Sequence, residues 1–172
     1  MLVKKRFSFS KKTLIIASVV IVAAAASVTA LSLANANKST DKPTVSTDAP
    51  KYKTVLPANQ SIDKLGGWTR ISPPENDPVY AYTDSIGDIS INVSEQPLPA
   101  SFKGNVDTQV AELAKKFSAT AQVTAGDTKV YIGTSAKGPQ SVIFTKNNLL
   151  ILIKSVQKID DAAWTKYVTS LN

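Results

Sequence analysis

Thr13–Ala34, TLIIASVVIVAAAASVTALSLA, runs for 22 residues without a charge, and the uncharged stretch continues to Asn37. As a helix rising about 1.5 Å per residue it covers roughly 33 Å, enough to cross the hydrocarbon core of a bilayer. Lys4, Lys5, Arg6, Lys11 and Lys12 precede it with no acid among them. Basic flanks stay on the cytoplasmic side, so the N-terminus is expected in the cytoplasm and everything after Asn37 outside. The chain then divides into a basic cytoplasmic tail (1–12), a transmembrane helix or signal anchor (13–34), a Ser/Thr/Pro stalk (35–50) and an extracytoplasmic domain (51–172). A second reading stays open, because Ala34-Asn35-Ala36 is an A-x-A site after which a signal peptidase cuts. Cleavage there would release a secreted domain. Against it, the apolar region is longer than the 7–15 residues of a signal-peptide core and holds no Gly or Pro.

This segment also explains the charge. The formal net charge is +7, and the first twelve residues alone hold +5. Residues 51–172 hold 13 Lys/Arg against 11 Asp/Glu, close to balance. A nucleic-acid-binding face needs its excess where the fold is, so that class is set aside. The chain has neither cysteine nor histidine. An exported domain without disulfides rests on its apolar core alone. Ser-His-Asp triads, thiol catalysis and imidazole or thiolate metal sites are excluded with those residue types. No cofactor and no metal is expected.

Within 51–172 the pattern is α+β. Residues 37–50, NKSTDKPTVSTDAP, lack apolar periodicity and read as a disordered stalk. Ser61–Leu65 before Gly66-Gly67 reads as one helical turn stopped by glycine. Trp68–Ile71 and Val79–Thr83 read as short strands, with a turn at Ile86-Gly87-Asp88. Ile89, Ile91 and Val93 alternate with Ser90, Asn92 and Ser94, the period of a half-buried strand. Asn105 offers an N-cap to a helix over Val106–Phe117, whose Val106, Val110, Leu113, Ala114 and Phe117 form one stripe. Strands follow over 121–124, 129–134 and 141–146. Asn147-Asn148 is a two-residue hairpin signal, since asparagine tolerates the positive φ of a type I′ turn. Leu149–Ile153 is apolar at five consecutive positions, as in a strand covered on both faces at a sheet's centre. Asp160 caps a last helix with Ala163, Trp164, Tyr167, Val168 and Leu171 at helical spacing. The tight hairpins predict an antiparallel sheet of about five or six strands with both helices packed on one face.

No catalytic residue stands out. Ser61-Ile62-Asp63-Lys64 matches S-x-x-K, but the K-T-G and S-D-N boxes of those enzymes are missing. Asp84, Asp88 and Glu95 cluster around one turn without the spacing of an EF-hand. Trp68, Tyr80, Tyr82 and Tyr131 are candidates for an aromatic ligand face, weighed against core packing.

The run Lys129-Val-Tyr-Ile-Gly, Gln140-Ser-Val-Ile-Phe-Thr-Lys, Leu149-Leu-Ile-Leu-Ile-Lys-Ser and the final helix resembles a common ectodomain plan. It is similar to uncharacterised C-terminal extracellular domains of Gram-positive bacterial single-pass membrane proteins, some attached to anti-sigma factors. The resemblance implies sensing or binding rather than catalysis. A twelve-residue tail cannot hold a sigma factor, so direct transcriptional signalling is not implied.

The first functional expectation is a non-enzymatic binding module of the cell envelope, whose partner is an envelope protein, peptide or wall polymer, captured through one face of the sheet. The second is a sensory or accessory subunit of a membrane complex acting through its transmembrane helix. The small residues Ala17, Ala24, Ala25, Ser27 and Ala30 would allow close helix contact there. A third is an envelope hydrolase independent of histidine and cysteine.

Overall fold

The computed structural model describes residues 49–172. The basic tail, the apolar span and most of the stalk lie outside these described residues. Among the described residues, no helix is long and apolar enough to cross a membrane.

Seven strands and two helices follow in the order β1 (Thr69–Arg70), β2 (Tyr80–Ile86), β3 (Ile89–Pro97), α1 (Val106–Lys116), β4 (Ala121–Ala125), β5 (Thr128–Thr134), β6 (Gln140–Lys146), β7 (Leu149–Ser155) and α2 (Asp161–Ser170). A short 3-10 turn at Ala100–Phe102 precedes α1. The strands form one sheet in the order β1-β2-β3-β7-β6-β5-β4, and every neighbouring pair is antiparallel. β7 stands fourth of seven, at the centre, as its unbroken apolar run requires.

Local signals act where the residues place them. Asn147 and Asn148 carry φ of 50° and 64° and close the β6–β7 hairpin. Both backbones are left-handed, as a type I′ turn demands. Asp160 Oδ1 accepts from the Ala163 N–H at 2.7 Å and caps α2. α1 starts at Asn105, whose side chain makes no capping bond. It ends with Ser118 at φ 55°, with Ala119 N–H donating to the Ala114 carbonyl and Ser118 N–H to that of Lys115. This is the Schellman pattern. Gly66 and Gly67 end the Ser61–Leu65 turn in the same way, bonding to the Asp63 and Ile62 carbonyls.

The two helices lie on opposite faces, which corrects the expected one-sided layer. Val110, Leu113 and Ala114 of α1 pack with Ile143 and Leu150. Trp164, Tyr167 and Val168 of α2 pack with Val142, Phe144, Ile151 and Ile153. Successive strand residues point to opposite faces, so the odd and even positions of β7 serve different helices. A strand apolar at five consecutive positions needs cover on both sides, and two helices on one face cannot give it. Hairpin connectivity fixes neighbours within the sheet; it says nothing about which side a helix takes.

α2 docks through Gln140, buried at the start of β6. Its Oε1 accepts from the Ile159 N–H at 2.7 Å and from the Trp164 indole N–H at 2.9 Å, and its Nε2 donates to Thr134 Oγ1 at 3.0 Å. The rest of that face, over β2 and β3, is covered by residues 52–58, Ile62, Leu65 and Trp68. Residues 56–58 also pair with the chain's end, through Leu56 and Asn172, which exchange two backbone bonds, and Ala58 N–H to the Ser170 carbonyl.

Candidate binding surface

The four aromatic candidates do not share a face. Trp68, Tyr80 and Tyr82 meet edge-on on the α2 side, with Trp68 at 5.2 Å from Tyr82 and 6.3 Å from Tyr80 between ring centroids. Tyr52 adds a fourth ring, 6.1 Å from Tyr80. Tyr80 and Tyr82 are buried, so this group is core rather than platform. Tyr131 lies on the other side of the sheet, against the α1 cluster. It borders an open polar cleft of about 370 Å³ between the start of α1 and the β4–β5 and β6–β7 turns. Asp107 and Lys129 pair across the edge of that cleft at 2.6 Å, in solvent. The Asp107 carboxylate holds the Lys129 ammonium above its ordinary range.

The acids are likewise dispersed. Asp84 accepts from the Tyr167 hydroxyl at 3.0 Å, which ties β2 to α2. Burial drives the Tyr167 hydroxyl upward, with Tyr82 and Asp84 adding to it. Asp88 is exposed in the β2–β3 turn, and Glu95 is wholly buried. Among the described residues, no three acidic side chains come together as a metal site.

What the structure does assemble is an open half-face. α1 lies over β5 and β6. On the same side, β2 and β3 present Thr83, Ser85, Ser90 and Asn92 to solvent, with Ser94 half-buried. Register sets these residues in rows across the sheet. One runs Thr83, Asn92, Lys154, Ser141; the next runs Ala81, Ser94, Leu152, Ile143, Tyr131. The second row passes from polar to apolar as it slides under α1. At that border a small apolar cavity, about 40 Å³, opens between Leu113 and Phe117 of α1, Leu150 and Leu152 of β7, and Ile71 and Val79 of the β1–β2 loop.

That loop is held by Arg70. Its guanidinium donates to the carbonyls of Pro73, Pro74 and Asn76 at 3.1–3.2 Å. The Pro73 carbonyl also accepts from the Asn76 N–H at 3.1 Å, so the turn is bonded from within as well. Ser72 Oγ accepts from the Val79 N–H at 3.0 Å and closes the loop. The exposed hydroxyl and amide groups are partly committed. Thr83 Oγ1 donates to Asn92 Oδ1 at 3.2 Å, and Ser94 Oγ donates to the Leu152 carbonyl at 2.8 Å. Chemically this is a hydrogen-bonding surface with one cation, Lys154, and an apolar slot at its margin.

The alternation of Ile89–Ser94 announces a strand with one bare face, and that bare face is the one found here. Arg70, Ser72 and Lys154 carried no signal in the sequence, because their importance comes from register and loop closure. Compared with known protein families, curated proteins and solved structures, the chain gives no match.

Proposed function

We propose that the chain is a membrane-anchored, non-enzymatic binding module of the bacterial cell envelope, with residues 51–172 outside the cell. The apolar span behind a basic tail and the likeness to bacterial ectodomains support the location. One observation supports the activity. The α1 side of β2 and β3 carries no helix, is lined by hydroxyl and amide groups, and ends in an apolar slot. A sheet left bare beside a covered half is a surface on which an extended ligand can lie. Its polar contacts would fall on Thr83, Asn92, Ser94 and Lys154, and one apolar group would enter between Leu113 and Leu152. A peptide or wall polymer of the envelope has this mixed character.

The test uses the purified chain and envelope fractions of the native host, wall and membrane kept apart. Thr83→Arg and Asn92→Arg place bulk on the exposed part of the bare face without entering the core. Retention on one fraction should fall at least tenfold in both variants while their unfolding midpoints stay at the wild-type value. Equal retention of wild type and variants would remove this face as the site.

A further inference from the structure

Glu95 is the most anomalous side chain in the described residues. It lies on β3 between Tyr80 of β2 and Ile151 of β7, with no exposed surface. Its Oε2 accepts from the Val55 N–H at 3.1 Å, while Oε1 has no partner. A buried polar atom left unsatisfied costs free energy, and few folded proteins keep one without a reason. The segment it touches, Tyr52–Ala58, belongs to no sheet. That segment grips in return, with the Tyr52 hydroxyl donating to the Glu95 carbonyl at 2.8 Å. The Tyr82 hydroxyl reaches the Val55 carbonyl at 3.5 Å, and release must also break the two backbone bonds between Leu56 and Asn172 and the one from the Ala58 N–H to the Ser170 carbonyl.

We propose that Tyr52–Ala58 is a releasable strap whose docking is governed by the charge on Glu95. The groups that face the carboxyl are Tyr52 from the strap and Tyr80 and Tyr82 from β2. Tyr167 of α2 and Asp84 stand one ring further out. β7 offers Ile151, and Lys51 just before the strap and Lys53 within it are both exposed. Among the described residues Glu95 joins no ion pair. An ionised carboxylate here would have one N–H donor and no cation, an arrangement a dry interior does not tolerate. Burial accordingly pushes the Glu95 carboxyl up to about 7, with the Val55 N–H pulling it back in part.

Water reaches this carboxyl when the strap lifts, because Val55, itself fully buried, lies over it. Once lifted, Glu95 is solvated and returns to its ordinary value of 4.5. The sign follows. The closed state holds the proton more tightly, so closure is favoured in acid and weakens as pH rises from 4.5 toward 7. Each pH unit in that window raises the open fraction about tenfold, and above about 7 both states are ionised and the effect levels off. If the chain is anchored as proposed, release adds residues 52–58 to the tether, about 23 Å at some 3.3 Å per residue. That consequence rests on the anchored reading; the strap itself does not.

Amide hydrogen exchange of the full chain in detergent micelles, from pH 5 to 8 and corrected for intrinsic rates, tests it. The Val55, Leu56 and Ala58 amides should lose protection about tenfold per pH unit up to pH 7 and then plateau. They should remain far less protected than Ile151 and Ile153 at the sheet centre, because the strap opens without the sheet. Glu95→Gln should flatten the pH dependence. Strap amides as protected as those of β7, a flat wild-type profile, or an unchanged slope in Glu95→Gln would each overturn the proposal. Should Glu95→Gln fail to fold, the rise of wild-type strap exchange with pH, absent from the Ile151 and Ile153 amides, decides alone.

Discussion

At the scale of single residues, two buried polar side chains define the α2 face in opposite ways. Gln140 is fully used: both side-chain atoms that can bond do so, and its one carbonyl serves two N–H donors. Glu95 leaves an oxygen orphaned. Replacing Gln140 by leucine keeps the volume and strands the Trp164 indole N–H and the Ile159 amide in a dry interior. Each unsatisfied donor costs about 1–3 kcal/mol, so Gln140→Leu should lower the unfolding free energy by ~2–6 kcal/mol in urea titration. A loss below about 1 kcal/mol would mean that water replaces the amide and that the network is not what docks α2. The sequence shows Trp164 as core through its helical spacing, but it does not show Gln140. A glutamine ahead of an apolar strand reads as the solvated end, and only the arrival of α2, about twenty residues later, buries it. Glu95 is visible in the sequence only as an acid grouped with Asp84 and Asp88 around a turn, and the structure buries it instead. Its period places it on the inner face, yet its partner Val55 lies outside any periodic segment.

Among elements, the legible ones are those whose cause is local. The caps at Asp160, the glycine stop at Gly66-Gly67 and the Asn147-Asn148 turn each depend on a few adjacent residues, and each is found in place. The side taken by each helix is not local. It is decided by whether an even or an odd row of β6 and β7 meets the helix stripe, and both rows are apolar, so nothing in the pattern of β7 distinguishes them. Gly133 of β5 shows how close the α1 layer comes. A Cβ built there would lie 2.8 Å from the Ser118 carbonyl oxygen and 2.9 Å from the Ala119 backbone nitrogen and Cα. In an open strand, alanine is better than glycine by roughly 0.5–1 kcal/mol. Here the loop that ends α1 stands in the way, and it is fixed by its own Schellman bonds. Gly133→Ala should therefore destabilise, by ~1–3 kcal/mol, with the largest amide chemical-shift changes at residues 117–120. A gain in stability would show that this loop yields and that α1 is not held down on β5.

On the scale of the whole molecule, the fold and the apolar span make separate demands. The described residues cover one face of their sheet with α2 and the strap and half of the other with α1, and pair residues 56–58 with Ser170 and Asn172. Among the described residues, the core clusters are built from Tyr52 onward. On the reading proposed above, the span at 13–34 sets location, and its fate decides between the functional classes. If it is retained, the domain stays within a stalk's length of the membrane, and the small-residue face of Ala17, Ala24, Ala25, Ser27 and Ala30 would be available to another helix. If the chain is cut behind Ala36, that role has no helix to act through, while the bare half-face of β2 and β3 is unchanged. The expected outcome is a full-length mass in the membrane fraction of the native host, measured on the intact protein, because the apolar region outruns a signal-peptide core. A mass beginning at Asn37 in the medium would make this a secreted domain. Either species should unfold in one cooperative transition at the same midpoint, since the core is common to both. A clear difference between their midpoints would mean that residues before Tyr52 contribute to the fold.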